Sequence, residues 1–114
     1  MEFSLTPDAF QTEADAVREI EARGWHALTF SVPAEVSDWH WHEFEAVIFM
    51  LEGSIRIEFE DDRPTFECVP GCRIETADRV VHRELTDGYR AVFGVSVDPA
   101  QITMPINKPA EQLV

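Results

Sequence analysis

The chain has 114 residues, 45% of them hydrophobic and including eight Phe and three Trp, which suffices for one compact domain with a real core and makes a second unexpected. Its 22 Asp and Glu against 9 Lys and Arg give a net charge of −13, which repels polyanions and removes nucleic acid from the expected partners. Membrane association is not expected either, since no apolar run would span a bilayer and the first residues carry neither a basic leader nor an apolar stretch; a cytoplasmic protein is the expectation.

In chain order, Thr6-Pro7-Asp8 reads as the start of a helical turn ending near Gln11, because Pro is tolerated at a first helical position. Thr12 then stands as an N-cap before Glu13 and Asp15, and Ala14, Val17 and Ile20 recur at helical spacing until Gly24. The N-terminal helical segment is thus expected over about 7–23, with its amphipathic helix from Glu13 to Arg23.

From about 25 to 98 the pattern changes to period two, broken at Pro33, Gly53, Asp61-Asp62, Pro70-Gly71, Asp87-Gly88 and Pro99. Ser54 to Glu60 is the clearest strand: Ile55, Ile57 and Phe59 face one way and Arg56, Glu58 and Glu60 the other. Asp61-Asp62 and Asp87-Gly88 read as turns of antiparallel hairpins, and Tyr89 and Arg90, just after the second, are expected at the surface. Val47 to Leu51 reads as a strand buried on both faces. The segment 99–114 is broken by Pro105 and Pro109 and is expected to lie extended. The fold class is all-β, a sandwich or barrel with a short N-terminal helix.

Asp38-Trp39-His40-Trp41-His42 alternates, so a strand here puts His40 and His42 on one face, about 6.6–6.8 Å apart along the chain. Two imidazoles at that separation can share one ion, and His82, on a later strand, is the candidate third donor. Glu84 lies two residues beyond His82 and therefore on its face; it is a candidate fourth ligand or general base, the alternative being an ion pair with Arg56 or Arg73. His26 shares a face with Leu28, Phe30 and Val32 and reads as a core or dimer-contact residue. Trp39 and Trp41 must point away from the histidines and need a cover, either the N-terminal helix or a second subunit, which makes a homodimer an expectation. Cys68 and Cys72 match no redox or zinc spacing and read as buried thiols, although the bend at Pro70-Gly71 leaves a disulfide open.

His40-Trp-His42, the apolar run Val47 to Leu51 and Glu52-Gly53 resemble the first motif of the cupin superfamily: His-x-His, a Glu four residues after the second His, and a hairpin Gly. Pro70-Gly71-Cys72-Arg73-Ile74-Glu75-Thr76 followed by His82 is similar to the second motif, so the resemblance spans Val36 to Val97. It implies a double-stranded β-helix, or jelly roll, and a metal site of His40, His42 and His82. Two departures stand out. Ala46 occupies the place of the ligating Glu, with Glu45 one position early and able to reach the site only through a shifted loop. Thr76-Ala77-Asp78-Arg79 replaces the Pro-x-Gly turn and adds a residue before the histidine.

Three-histidine sites of this kind resemble those of non-haem iron(II) dioxygenases. That implies one divalent cofactor, Fe(II) before Mn, Ni or Zn, and a small organic substrate, an anionic chelator being favoured by three neutral ligands. A non-catalytic binding or sensing module and a metal-dependent isomerase or lyase are the alternatives, because one fold hosts many chemistries.

Overall fold

The computed structural model describes residues 3–102 and 106–113. Along the chain run β1 (Ser4–Thr6), α1 (Glu13–Ala22), β2 (His26–Val36), β3 (His40–Trp41), β4 (Ala46–Gly53), β5 (Ile55–Phe59), β6 (Phe66–Cys68), β7 (Arg73–Thr76), β8 (His82–Val95) and β9 (Lys108–Pro109). All described pairings are antiparallel and join the nine strands into one sheet. The all-β expectation with a short helix is met. No helix among the described residues is long and apolar enough to cross a membrane.

The helix starts where its cap says it should: Thr12 is extended and its hydroxyl accepts from the Asp15 N–H. The turn expected at Pro7 does not become helix. Residues 4–6 pair with β7 instead, and Pro7-Asp8 turns the chain, with Asp8 at φ 49°. α1 lays Ala16 and Ile20 on the outer side of the sheet against Val47, Phe49 and Val92. The other face of β4 contributes Ile48 and Met50 to the inner core with Ile55, Ile57, Cys68, Ile74 and Ala91. The run 47–50 is therefore buried on both sides, and its residues are at most 5% exposed. Cys68 and Cys72 are free thiols in this core, and burial, with Cys72 alongside, pushes Cys68 up to about 12.

β8 organises the sheet. On one side it takes β2 along residues 85–95 and then β3 at His82; on the other it takes β4 along 89–95 and β5 along 82–85. The hairpin expected at Asp87-Gly88 is not there. The chain runs straight on as one 14-residue strand, bent at Gly88, whose φ is +121°. Before the bend His82 and Glu84 reach the interior, and after it Tyr89, Ala91 and Phe93 do, so the bend resets which parity faces in. Tyr89 is accordingly 8% exposed rather than a surface residue, while Arg90 pairs with Glu13 on the outside. Pro33 does not break β2 either. It sits opposite Gly88 on a strand whose only partner among the described residues is β8, and an edge strand can spare an N–H. On this edge His26 is exposed, Leu28 is 36% and Phe30 48% exposed, so of the two readings of His26, core or dimer contact, the core one is not met.

The tail departs from a simple extended segment. After a 3-10 turn at Pro99–Gln101, and beyond residues 103–105, which lie outside the described residues, it returns as β9 alongside β3, then turns again at Ala110–Gln112.

Candidate metal centre

Two strands and one loop bring the site together. His40 lies directly opposite His82 across the β3–β8 pair, and His42 follows just after β3 ends. The stretch 76–79, with its added residue, is tied to the site at Arg79, whose backbone is left-handed at φ 56° and whose N–H donates to the His42 carbonyl at 2.8 Å. The three rings lie 4.5–5.1 Å apart between centroids. Glu84 joins them: its Oε1 is 3.6 Å from His82 Nε2 and 4.0 Å from His40 Nε2. One donor atom from each of His40, His42, His82 and Glu84 falls within 4.8 Å of every other.

The hydrogen bonds behind the rings fix their tautomers. His40 Nδ1 meets the Asp38 carbonyl at 2.7 Å, His82 Nδ1 the Val80 carbonyl at 2.8 Å, and His42 Nδ1 the Ile106 carbonyl at 3.1 Å. A carbonyl only accepts, so each Nδ1 carries the proton and, in a neutral ring, each Nε2 is a bare lone pair. His40 Nε2 is buried and has no hydrogen-bond partner. Bare acceptors turned toward a carboxylate, at distances too long for hydrogen bonds, repel one another unless a cation lies between them. Donors about 2.0–2.2 Å from such an ion would stand about 3–4.4 Å apart, close to the separations seen. Backbone carbonyls holding the far nitrogens are the outer shell that metal-ligating histidines commonly have.

Electrostatics prepare the same state. Burial, with His82 nearby, holds His40 below the ordinary imidazole range and pushes His42 down to about 4. For Glu84 burial favours the acid, but the close approach of His82 and the other facing imidazoles outweighs it and keeps the carboxyl below its usual range. At neutral pH the cluster thus offers neutral His40 and His42 beside an ionised Glu84.

This has a measurable sign. The unfolded chain protonates these histidines near 6.5, whereas folded His42 resists until about 4, so the unfolded state binds more protons between those values. The metal-free protein is expected to be most stable above about pH 6.5 and to lose stability toward pH 4, by about 1.4 kcal/mol per pH unit for each extra proton taken up. Depression of Glu84 acts in the same direction below 4.5. Chemical denaturation of chelator-treated protein at pH 7.5 and 5 checks it; greater stability at pH 5 would mean that the rings are held charged.

The ion pair expected between Glu84 and Arg56 or Arg73 is not formed. Arg56 pairs with Glu67, and Arg73 with Glu19 and Glu75. Glu45 stays outside the cluster, its backbone bonded to Ser96, and Ala46 packs with Phe44 and Val95. Sequence reasoning missed the aromatic walls. Phe44 lies 5.3 Å from the His42 ring, and Phe3 lies 5.2 Å from the His82 ring. The signal for Phe44 was available, since it continues the alternation of His40 and His42; Phe3 precedes every element read from the pattern.

A cleft of 870 Å³ opens beside His40, between Glu35, Trp39, Glu60 and Arg83 on one side and Asn107, Pro109 and Glu111 of the tail on the other. Trp39 and Trp41 are half-buried, and the contacts seen on them come from their own chain. Trp41 Nε1 donates to the Pro109 carbonyl at 2.9 Å, and the Arg83 guanidinium lies 4.6 Å over the Trp39 ring.

No family model and no curated protein matches the chain. Among solved structures it is similar to a DUF861 family protein from Thermotoga maritima, at 13% identity and a TM-score of 0.56 over 81% of this chain and 97% of that one. A cupin-2 domain containing protein from Shewanella frigidimarina aligns at 15% identity, TM-score 0.55, over 86% of this chain and 83% of that one. The DMSP lyase DddQ from Ruegeria pomeroyi aligns at 22% identity, TM-score 0.56, over 66% of this chain but 39% of its own. Likenesses at this level speak of fold alone, and together with the antiparallel topology they show that the chain has the cupin fold.

Proposed function

We propose that this cupin is a metal-dependent enzyme acting on a small organic molecule, with His40, His42, His82 and Glu84 as the donors to one divalent ion. The observation that carries the reading is the shared tautomer: three Nδ1–H groups bonded to carbonyls, and a buried His40 Nε2 without a hydrogen-bond partner among ligand-type atoms. Three imidazoles and one carboxylate suit Fe(II), and Mn, Ni or Zn as well. When bound, such an ion supplies Lewis-acid polarisation of a substrate oxygen and, as iron(II), access to oxygen chemistry. Four protein donors would hold such an ion and still leave it able to bind substrate.

The chain's own residues narrow the substrate. Glu84 offsets one unit of the ion's charge, and the cleft beside His40 carries Glu35, Asp38, Glu60 and Glu111 against one arginine, Arg83, itself paired with Glu58. An anionic chelator, favoured by three neutral ligands alone, fits this field poorly; a neutral or cationic small molecule fits it better. Phe3 and Phe44 flank the histidines and keep that end of the site apolar.

The oxidative reading is an iron(II) dioxygenase. A non-oxidative lyase or isomerase is the second reading: Glu84 faces His40 and His82 and is left without Arg56 or Arg73, which pair elsewhere, so a carboxylate not taken up by the ion would be free to move a proton. The aligned DMSP lyase is named for a lyase activity. Oxygen uptake and product formation, measured on iron-reconstituted protein with thiols, diketones and 2-oxo acids, separate these. Turnover with oxygen uptake supports the dioxygenase, turnover without it the lyase or isomerase, and ligand binding without turnover a sensing module. Glu84→Gln is expected to lower metal affinity at least about tenfold; unchanged affinity with turnover lost by about 100-fold or more would make Glu84 a base rather than a ligand.

A further inference from the structure

The donors of His40 and His82 are held by carbonyls two residues away in their own segments, those of Asp38 and Val80. His42 is held differently. Its Nδ1–H is directed to the carbonyl of Ile106, 64 residues later, in the tail. The tail is seated further by β9, which pairs Lys108 with Trp41 and Pro109 with His40, and by the Trp41 indole N–H, which donates to the Pro109 carbonyl; Lys108 is buried there.

We propose that the tail is a strap that completes the metal centre, so that docking of 106–109 and ion capture by His42 are one coupled event. This rests on the metal reading above and adds its regulation. With the strap seated, His42 has one tautomer and its Nε2 faces the other donors. With the strap away, the ring loses the acceptor that selects Nδ1–H, and a neutral imidazole then populates both tautomers and turns. The same residues wall the cleft: Asn107, Pro109 and Glu111 line it opposite Trp39 and Arg83. Anything that displaces the strap therefore opens the cleft and loosens one ligand together, and a bound ion in turn holds the strap down by the same coupling free energy.

The test compares the full chain with two variants, a chain ending at Ile102 and the full-length Trp41→Phe, which lacks the indole donor to Pro109 and serves if the shortened chain does not fold. Nitrogen-15 spectra of the metal-free proteins read each ring's tautomer, and zinc titration reads affinity. In the full chain all three rings should show Nδ1–H. In the variants His42 alone should become mixed, while His40 and His82 keep their tautomers, and zinc affinity should fall about 10–100-fold. An unchanged His42 tautomer and unchanged zinc affinity in the folded variants would overturn the strap. Full-length protein that takes up no zinc would overturn the metal reading on which it rests, a separate outcome because the tautomers are read without metal.

Discussion

His82→Ala is expected to abolish stoichiometric metal uptake, while His26→Ala leaves it unchanged. His82 is 1% exposed, lies opposite His40 in the sheet, and touches both other rings and Glu84. Losing its nitrogen removes a donor from the middle of the set, so the effect should exceed the about 10–100-fold that follows loss of an outer-shell partner. Elemental analysis of protein purified without a histidine tag, before and after iron(II) reconstitution, reads the result. His26 sits exposed on β2, paired with Val95, outside the donor cluster. Equal loss in both variants would mean that metal is held nonspecifically, and equal retention would move the site away from His82. The alanine also leaves a cavity beside Phe3, so a fold check by circular dichroism accompanies the measurement.

The second large effect is one of stability. Gly53 ends β4 at φ +76°, and a Cβ placed there would lie 2.2 Å from the Gly88 carbonyl oxygen and 2.9 Å from Tyr89 Cα. Both obstacles are backbone of β8, so no rotamer change relieves them. A left-handed backbone costs a non-glycine residue about 1–2 kcal/mol, and displacing the strand adds to it. Gly53→Ala should therefore destabilise the protein by about 3 kcal/mol or more, a fall of roughly 12 °C in melting temperature for a chain of this size. A change of less than about 1 kcal/mol in a denaturant titration would show that the junction between β4 and β5 relaxes freely around this position.

Much of this was legible because it is periodic or local. Alternation in 55–59 placed Ile55, Ile57 and Phe59 inside, the cap at Thr12 started the helix, and His-x-His with His82 put three rings where they meet. Glu84 was identified by the same two-residue period, although its choice between histidines and arginines depended on where Arg56 and Arg73 found partners, which is tertiary information. Asp87-Gly88 has the chemistry of a reversal and the structure uses it for a bend, because pairing with β2 continues through it on both sides. That choice turned Tyr89 inward. The hold of Ile106 on His42 was illegible in principle: a backbone carbonyl leaves no mark in side-chain identity, and its partner lies 64 residues away.

The sharing of β8 among four neighbours also bears on how the molecule comes apart. Its backbone groups are tied to β2 and β3 on one flank and to β4 and β5 on the other, over 14 residues. A strand held this way has no private unfolding route; freeing it means dissolving the sheet. His82 and Glu84 ride on it, so half of the donor set shares its slowest motions, while His42 depends on a tail joined to β3 at two residues. Three of the four donor side chains are thus anchored within the sheet and its adjoining loops, and His42 alone leans on a segment that can part from the rest without dissolving the fold.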